Sequence, residues 1–155
     1  MYHYTMCGLD NVWLENGYTI HDTKYGSGVS IDHADELDRL IAMELVKKKG
    51  PLCGKELRFL RISLGLSQEG LSKLVGVKEQ TVSLWERRKE DQAVPTHADA
   101  FVRMLYSEKV DGNLKISAAI NRINAVERLC NQRIVAKEGR AGWKSKLESN
   151  EEVAA

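Results

Sequence analysis

Residues 67–88 read SQEGLSKLVGVKEQTVSLWERR and contain two short apolar helix patterns on either side of one glycine. The first pattern places three apolar residues at positions i, i+3 and i+4, namely Leu71, Leu74 and Val75. Gly76 follows where the chain must turn sharply, which favours a residue that tolerates positive φ. Val82 and Trp85, three residues apart, form the apolar side of a second short helix. The segment therefore predicts two helices joined by a tight turn.

The second helix has a polar side opposite Val82 and Trp85. That side consists of Lys78, Glu79, Gln80 and Thr81, with Leu84 as its one apolar member. A short helix held on a small core, with such a strip facing outward, fits the major groove of DNA. A surface αα-hairpin without a ligand is the alternative, but the offsets of Gln68, Gly76 and Trp85 favour the helix-turn-helix.

Residues 57–106 resemble the Xre family of phage-repressor and Cro-like DNA-binding domains. The resemblance rests on a helix over residues 57–64, the sequence Gly65-Leu66-Ser67-Gln68, and the turn and second helix described above. It implies a five-helix domain in which Gln68 opens the first helix of the motif and holds a phosphate at that helix's positive end. Lys78 stands where Ser or Thr would cap the second helix, so a weak start is expected there.

The same resemblance places Lys78, Glu79, Gln80 and Leu84 on positions that face bases. Gln80 is the main candidate for base recognition, because its amide can form a bidentate pair with adenine. Phosphate contacts are expected from the basic run that follows the helix. The predicted DNA contacts are Ser67, Gln68, Lys78, Glu79, Gln80, Thr81, Ser83, Leu84, Arg87, Arg88 and Lys89.

Charge is unevenly distributed along the 155 residues, although the net charge is only +1. Residues 1–50 carry 5 Lys/Arg against 8 Asp/Glu, whereas residues 51–110 carry 10 against 8. A DNA-binding domain with so small a positive balance depends on dimerisation and on well-placed contacts. Three scattered cysteines, no leader and no long apolar run predict a cytoplasmic protein.

The N-terminal residues 1–50 are predicted to form a small α+β domain that ends at Gly50-Pro51. Asn16-Gly17, between residues 12–15 and 18–21, predicts a β-hairpin. Asp32 is the expected N-cap of a helix that buries one apolar face. The members of that face are Leu37, Leu40, Ile41 and Leu45.

The overall layout loosely resembles MqsA-like antitoxins, in which a zinc ribbon precedes a helix-turn-helix domain. Here Tyr4-Thr5-Met6-Cys7-Gly8 has a tyrosine where the first knuckle cysteine would stand. Zinc needs four ligands at paired short spacings. We therefore predict no metal and no other cofactor.

Residues 111–138 are predicted to form a long helix, and residues 139–155 a flexible polar tail. Apolar residues recur at 3–4 spacing as far as Ile134, which indicates either packing within the domain or a homodimer seam. The predicted seam residues are Ile116, Ile120, Ile123, Val126 and Cys130. In the preceding domain, Thr96 and Asp99 resemble a capping box for a helix that buries Phe101 and Leu105.

The sequence thus predicts a mainly α protein, an Xre-type five-helix helix-turn-helix domain over residues 51–110 preceded by a small N-terminal β-hairpin plus helix. Its predicted function is sequence-specific regulation of transcription by a dimeric repressor on a palindromic operator. The alternative is an antitoxin that neutralises a partner toxin by direct contact. No catalytic constellation stands out, so no enzymatic activity is predicted.

Overall fold

The computed structural model describes residues 1–112, 115, 118, 120 and 132–149. The chain divides into two compact units, Met1–Ser117 and Ala118–Ala155. The first unit holds strands β1 (Tyr2–His3), β2 (Trp13–Leu14), β3 (Tyr18–Thr23) and β4 (Gly26–Ile31), and helices α1 (Ala34–Lys47), α2 (Gly54–Ser63), α3 (Gln68–Val75), α4 (Glu79–Glu86) and α5 (Thr96–Val110). None of the described helices is long and apolar enough to cross a membrane.

The N-terminal strands form two separate antiparallel pairs. β1 pairs with β2, and β3 pairs with β4 across a two-residue turn at Lys24-Tyr25. The hairpin predicted at Asn16-Gly17 is therefore wrong in its strand partners. Gly17 does turn the chain with φ 79°, and its carbonyl oxygen accepts a hydrogen bond from Asp32 N at 2.8 Å. However, β2 pairs with β1 and not with β3.

Helix α1 begins one residue later than predicted. His33, not Asp32, is the N-cap, with a left-handed backbone (φ 50°, ψ 50°) and no hydrogen bond from its side chain. Ile41 and Leu45 are buried as predicted, but Leu40 is 61% exposed and Ala42 is fully buried in its place. The buried stripe is rotated by part of a turn, because α1 packs on α2 and α5 together.

The core of the first unit is made by apolar residues from all five helices, with leucines of α2 and α3 among the most buried. The largest fully buried side chains are Leu52, Leu57, Leu60, Leu64, Leu71, Val82 and Val102. Leu57, Leu60 and Leu64 therefore occupy the core as their spacing predicts. On α5, Leu105 is buried and Phe101 is only partly buried.

The boundary predicted at Gly50-Pro51 lies inside the first unit. Asp99 Oδ2 accepts a hydrogen bond from Leu52 N at 2.7 Å, and Arg103 donates to the carbonyl oxygens of Lys48 and Gly50, both at 2.6 Å. The Asp99 carboxylate thus binds the segment that connects α1 to α2. The predicted capping box is wrong, since Pro95 is the N-cap of α5 and makes no side-chain cap hydrogen bond.

The second unit contains an antiparallel hairpin of β5 (Gln132–Gly139) and β6 (Gly142–Ser149). The prediction of helix as far as residue 138 is therefore wrong at its end, and so is the prediction of a flexible tail over residues 139–149. Arg140-Ala141 between two glycines makes the turn, and Gly142 has φ 106°. Polar and apolar residues do not alternate strictly on either strand, since β5 carries three consecutive apolar residues, Ile134-Val135-Ala136, so the strand period is weak in this sequence.

Candidate nucleic-acid interface

Helix α3 has well-defined ends. The Ser67 hydroxyl oxygen accepts a hydrogen bond from Gly70 N at 2.9 Å and caps the first turn. At the other end Gly76 adopts φ 78°, and its amide donates to Ser72 O at 2.9 Å. A side chain at Gly76 would strain this left-handed turn. The tight connection predicted between the two helices is present.

Helix α4 has one buried side and one exposed side. Val82 is fully buried and Trp85 is 5% exposed. Lys78, Glu79, Gln80 and Leu84 are exposed, whereas Thr81 and Ser83 are partly buried. Leu84, at 59% exposure, is an apolar side chain on this otherwise polar surface. The predicted base-facing positions are thus all exposed: Glu79, Gln80 and Leu84 lie on the eight-residue helix, and Lys78 is its N-cap.

The position of α4 is set by a close approach between backbones. A Cβ atom on Gly54, the first residue of α2, would lie 2.7 Å from Glu86 O and closer still to Trp85 O. On the opposite flank the Trp85 ring meets the His97 ring edge-on, with centroids 5.7 Å apart. The end of α4 is therefore held between α2 and α5, which fixes the direction in which its exposed face points.

A buried ion pair joins α2 to α4. Arg61 Nε lies 3.0 Å from Glu86 Oε2, and Arg61 Nη2 lies 2.9 Å from Glu86 Oε1. Arg61 Nη1 also donates to Leu66 O at 2.9 Å, so the guanidinium also holds the loop before α3. Neither residue is recognisable as a functional residue from the sequence, because nothing in the spacing of an arginine and a glutamate 25 residues apart signals that they meet.

Gln68 and Ser67 at the start of α3 make contacts within the protein. Gln68 Nε2 donates to Glu86 Oε2 at 3.4 Å, which ties Gln68 to the buried ion pair. The Ser67 hydroxyl oxygen is engaged as the N-cap. The amide groups at this helix start remain the feature suited to a phosphate, because the positive end of a helix favours an anion.

The basic run after α4 is exposed, and two of its members are oriented by hydrogen bonds. Arg87 Nε donates to Ser83 O at 3.2 Å, and Arg88 Nη1 donates to Ala93 O at 2.6 Å. Lys89 is exposed beside them. Each arginine retains further N–H donors for an anion.

The residues predicted for a dimer seam are described only in part. Ile120 is buried, at 5% exposure. Ile116, Ile123, Val126 and Cys130 lie outside the described residues. Ile134, the last residue of the same stripe, lies on β5 and is 74% exposed, so it does not continue a helix.

A groove of about 620 Å³ lies on another side of the first unit, between the N-terminal segment and helices α1, α2 and α5. Its floor includes Asp38, whose Oδ1 is buried and accepts no hydrogen bond from a described group. Burial and the charge of Asp35 raise the pKa of Asp38, while the Tyr4 hydroxyl works in the opposite direction. Met6 and Ile62 line the groove and are mostly exposed.

Among the described residues, no three His, Cys, Asp or Glu side chains come close enough to hold a metal ion. Cys7 and Cys53 are free thiols and are partly buried. Cys7 Sγ lies 3.5 Å from Tyr4 O. Burial raises the pKa of the Cys53 thiol, which disfavours the thiolate that binds metals.

Residues 57–94 match the family model HTH_3, described as helix-turn-helix. This segment is an Xre-type helix-turn-helix domain. The match spans most of α2, all of α3 and α4, and the loop that leads to α5. Comparisons with curated proteins and with solved structures gave no significant match. The family assignment makes this Xre-type domain a DNA-binding, transcription-regulating unit, and the exposed face of α4 is its candidate interface.

Proposed function

We propose that this protein is a sequence-specific repressor that places α4 in the major groove of its operator. The observation that carries the proposal is the exposed face of α4, where Gln80 and Leu84 project from a helix whose other side is buried, with Lys78 exposed at its N-cap. A helix of this size fits the major groove, where each base pair presents a distinct pattern of donors and acceptors. Protein and operator would meet in the cytoplasm.

Within this proposal the residues divide by role. Gln80 pairs with an adenine, and the exposed Leu84 packs on a thymine methyl group. Arg87, Arg88 and Lys89 contact phosphates, as does the amide end of α3. Thr81 and Ser83 are partly buried on the flanks of α4 and contribute polar contacts at the edge of the groove.

We further propose that the operator is palindromic and that the protein binds it as a homodimer. One eight-residue recognition helix reads too few base pairs to select one site among many competitors. Two copies related by a two-fold axis would read half-sites about one helical turn, ~34 Å, apart. The segment over residues 116–130 stays our candidate for the seam.

The test of base recognition is Gln80→Ala. We expect it to weaken binding to the true operator by about 1–3 kcal/mol and to leave binding to random-sequence duplex nearly unchanged. The operator would be located by footprinting upstream of the protein's own gene, and both affinities measured by fluorescence anisotropy. Asn16→Ala is the matched control, because it removes an exposed side-chain amide far along the chain from the helix-turn-helix and leaves the net charge unchanged. An equal loss on operator and random duplex would show that Gln80 positions the helix and does not read a base.

A second candidate function is neutralisation of a partner toxin, and the Asp38 groove favours it. The groove combines exposed apolar side chains, Met6 and Ile62, with an oxygen of the Asp38 carboxylate that is buried and accepts no hydrogen bond from a described group. Its lining also includes Asp35 and the two cations Arg39 and Arg58. A basic side chain entering the groove would satisfy Asp38. The acidic balance of residues 1–50 is consistent with a basic partner.

This alternative predicts that Asp38→Asn loses a partner that the wild type retains. The partners to test are the products of short genes that flank the gene of this protein, each co-expressed with it and assayed by co-purification. Because the pKa of Asp38 is raised, its ionised form is disfavoured in the fold, so the neutral amide should be at least as stable at neutral pH. Asp22→Asn, on exposed β3, is the control. Co-purification that survives Asp38→Asn would contradict the role of the groove.

A further inference from the structure

The β5–β6 hairpin is the most positively charged element described in the chain. Residues 132–149 contain five Lys and Arg against two Glu, a balance of +3, whereas the whole chain balances at +1. The rest of the protein is therefore slightly negative. Positive charge is concentrated on a hairpin that the helix-turn-helix does not include.

The register places most of these cations on one face. Lys137 stands directly opposite Lys144, and Val135 stands opposite Lys146. Because side chains alternate along a strand and opposed residues share a face, Arg133, Lys137, Lys144 and Lys146 all point to the same side. The other side bears Ile134, Ala136, Glu138 and Trp143. The register also places Glu148 opposite Arg133 and Ser145 opposite Ala136. The two faces are therefore mixed away from the turn, and the basic character is strongest at the opposed pair Lys137 and Lys144 beside the turn.

The opposed positions of Lys137 and Lys144 lower the stability of the hairpin. Like charges directly opposite each other repel, and a hairpin of only two strands is marginal in water. Both lysines are exposed, as is Arg140 at the turn. Among the described side chains, none forms an ion pair with Lys137, Arg140 or Lys144. An anionic ligand lying along this face would turn the repulsion into attraction.

We infer that the β5–β6 hairpin is a second DNA contact, which binds the phosphate backbone through Lys137, Arg140 and Lys144. This inference rests on the proposed function, since that function supplies the polyanion. A double helix presents a continuous row of phosphates, which suits a row of lysines better than a single small anion does. The contact carries no sequence information and adds affinity to the reading done by α4.

The experiment measures how binding of a random-sequence duplex depends on salt concentration. For Lys137→Gln with Lys144→Gln we expect the plot of log affinity against log salt to become shallower by about 1.8, or about 0.9 for each lost phosphate contact. The matched control is Lys24→Gln with Lys49→Gln, which removes the same charge from exposed positions of the first unit. The control should keep the wild-type slope.

A further variant separates phosphate contact from hairpin stability. Lys137→Glu places opposite charges across the register, so the hairpin should become more stable. It changes the net charge by −2, as the double glutamine variant does, so duplex binding should weaken to a similar extent although the hairpin is more stable. A wild-type slope in both hairpin variants, with intact duplex binding, would overturn the inference and leave the proposed function standing. The inference would also be overturned if the hairpin variants lost binding to single-stranded RNA and kept their binding to duplex DNA. A wild type that binds no duplex would overturn the inference and the proposed function together.

Discussion

Glu86→Gln is expected to lower the free energy of unfolding by about 3–5 kcal/mol, because it leaves the Arg61 charge buried without its counter-ion. Both side chains are almost inaccessible, at 10% for Arg61 and 2% for Glu86. Their paired hydrogen bonds of 2.9 and 3.0 Å compensate for the loss of water, and an amide cannot replace the negative charge. The measurement is urea denaturation followed by circular dichroism.

Two further variants test whether the loss of stability comes from a buried charge that has lost its counter-ion. Glu69→Gln removes the exposed pair with Lys73, where Oε1 and Nζ lie 3.2 Å apart, and should cost no more than about 0.5 kcal/mol. Arg61→Met with Glu86→Leu removes both buried charges and should be about as stable as the wild type, or more so. If the single and double variants were equally unstable, the loss would come from packing and not from an uncompensated charge.

Gly54→Ala is expected to destabilise the protein by about 3 kcal/mol and to reduce operator binding with it. The added methyl group would lie within 3 Å of backbone atoms of Glu86 and Trp85, which cannot rotate away as a flexible side chain could. The end of α4 must then move away from α2, and the recognition face moves with it. Thermal unfolding and duplex binding would be measured on the same samples.

Gly28→Ala is the matched control for this prediction. Gly28 has no left-handed φ, and nothing lies within 4 Å of a Cβ built there. Its substitution should leave stability unchanged or raise it by up to about 1 kcal/mol, since alanine restricts the unfolded chain. At Gly54, which lies in a helix, alanine would be favoured over glycine by helix propensity alone. A neutral or stabilising Gly54→Ala would therefore show that α2 and α4 can separate at no cost.

The sequence predicted the helix-turn-helix because its signals are local. These signals are the spacing of Leu71 and Leu74, the turn at Gly76 and the pair Val82 and Trp85, and each acts within one helix or one turn. The structure confirms the turn and the burial of these apolar residues, except that Leu74 is only partly buried. The missing side-chain cap at Lys78 was likewise visible in the sequence. Because Val82 and Trp85 define the buried side of α4, they also determine which residues of this helix face outward.

Errors arose where a local signal had more than one possible partner. Asn16-Gly17 does form a turn, but β2 pairs with β1, and β3 pairs with β4 at Lys24-Tyr25. Asp99 could cap its own helix or hold the segment before α2, and it holds the amide of Leu52. Ile134 fitted the spacing of a helical stripe, but it lies on β5.

By itself, the sequence determined which segments form the two helices of the motif, where they turn and which residues of α4 face outward, because these properties depend on residues within a few positions of one another. Only the tertiary structure decided how α4 is held: the Arg61–Glu86 ion pair and the approach of Gly54 to Trp85 join residues 25 and 31 positions apart. The same is true of the opposed lysines on β5 and β6, whose meeting depends on strand register. Such contacts depend on which surfaces pack together, and that choice is made by the whole core and not by any one segment.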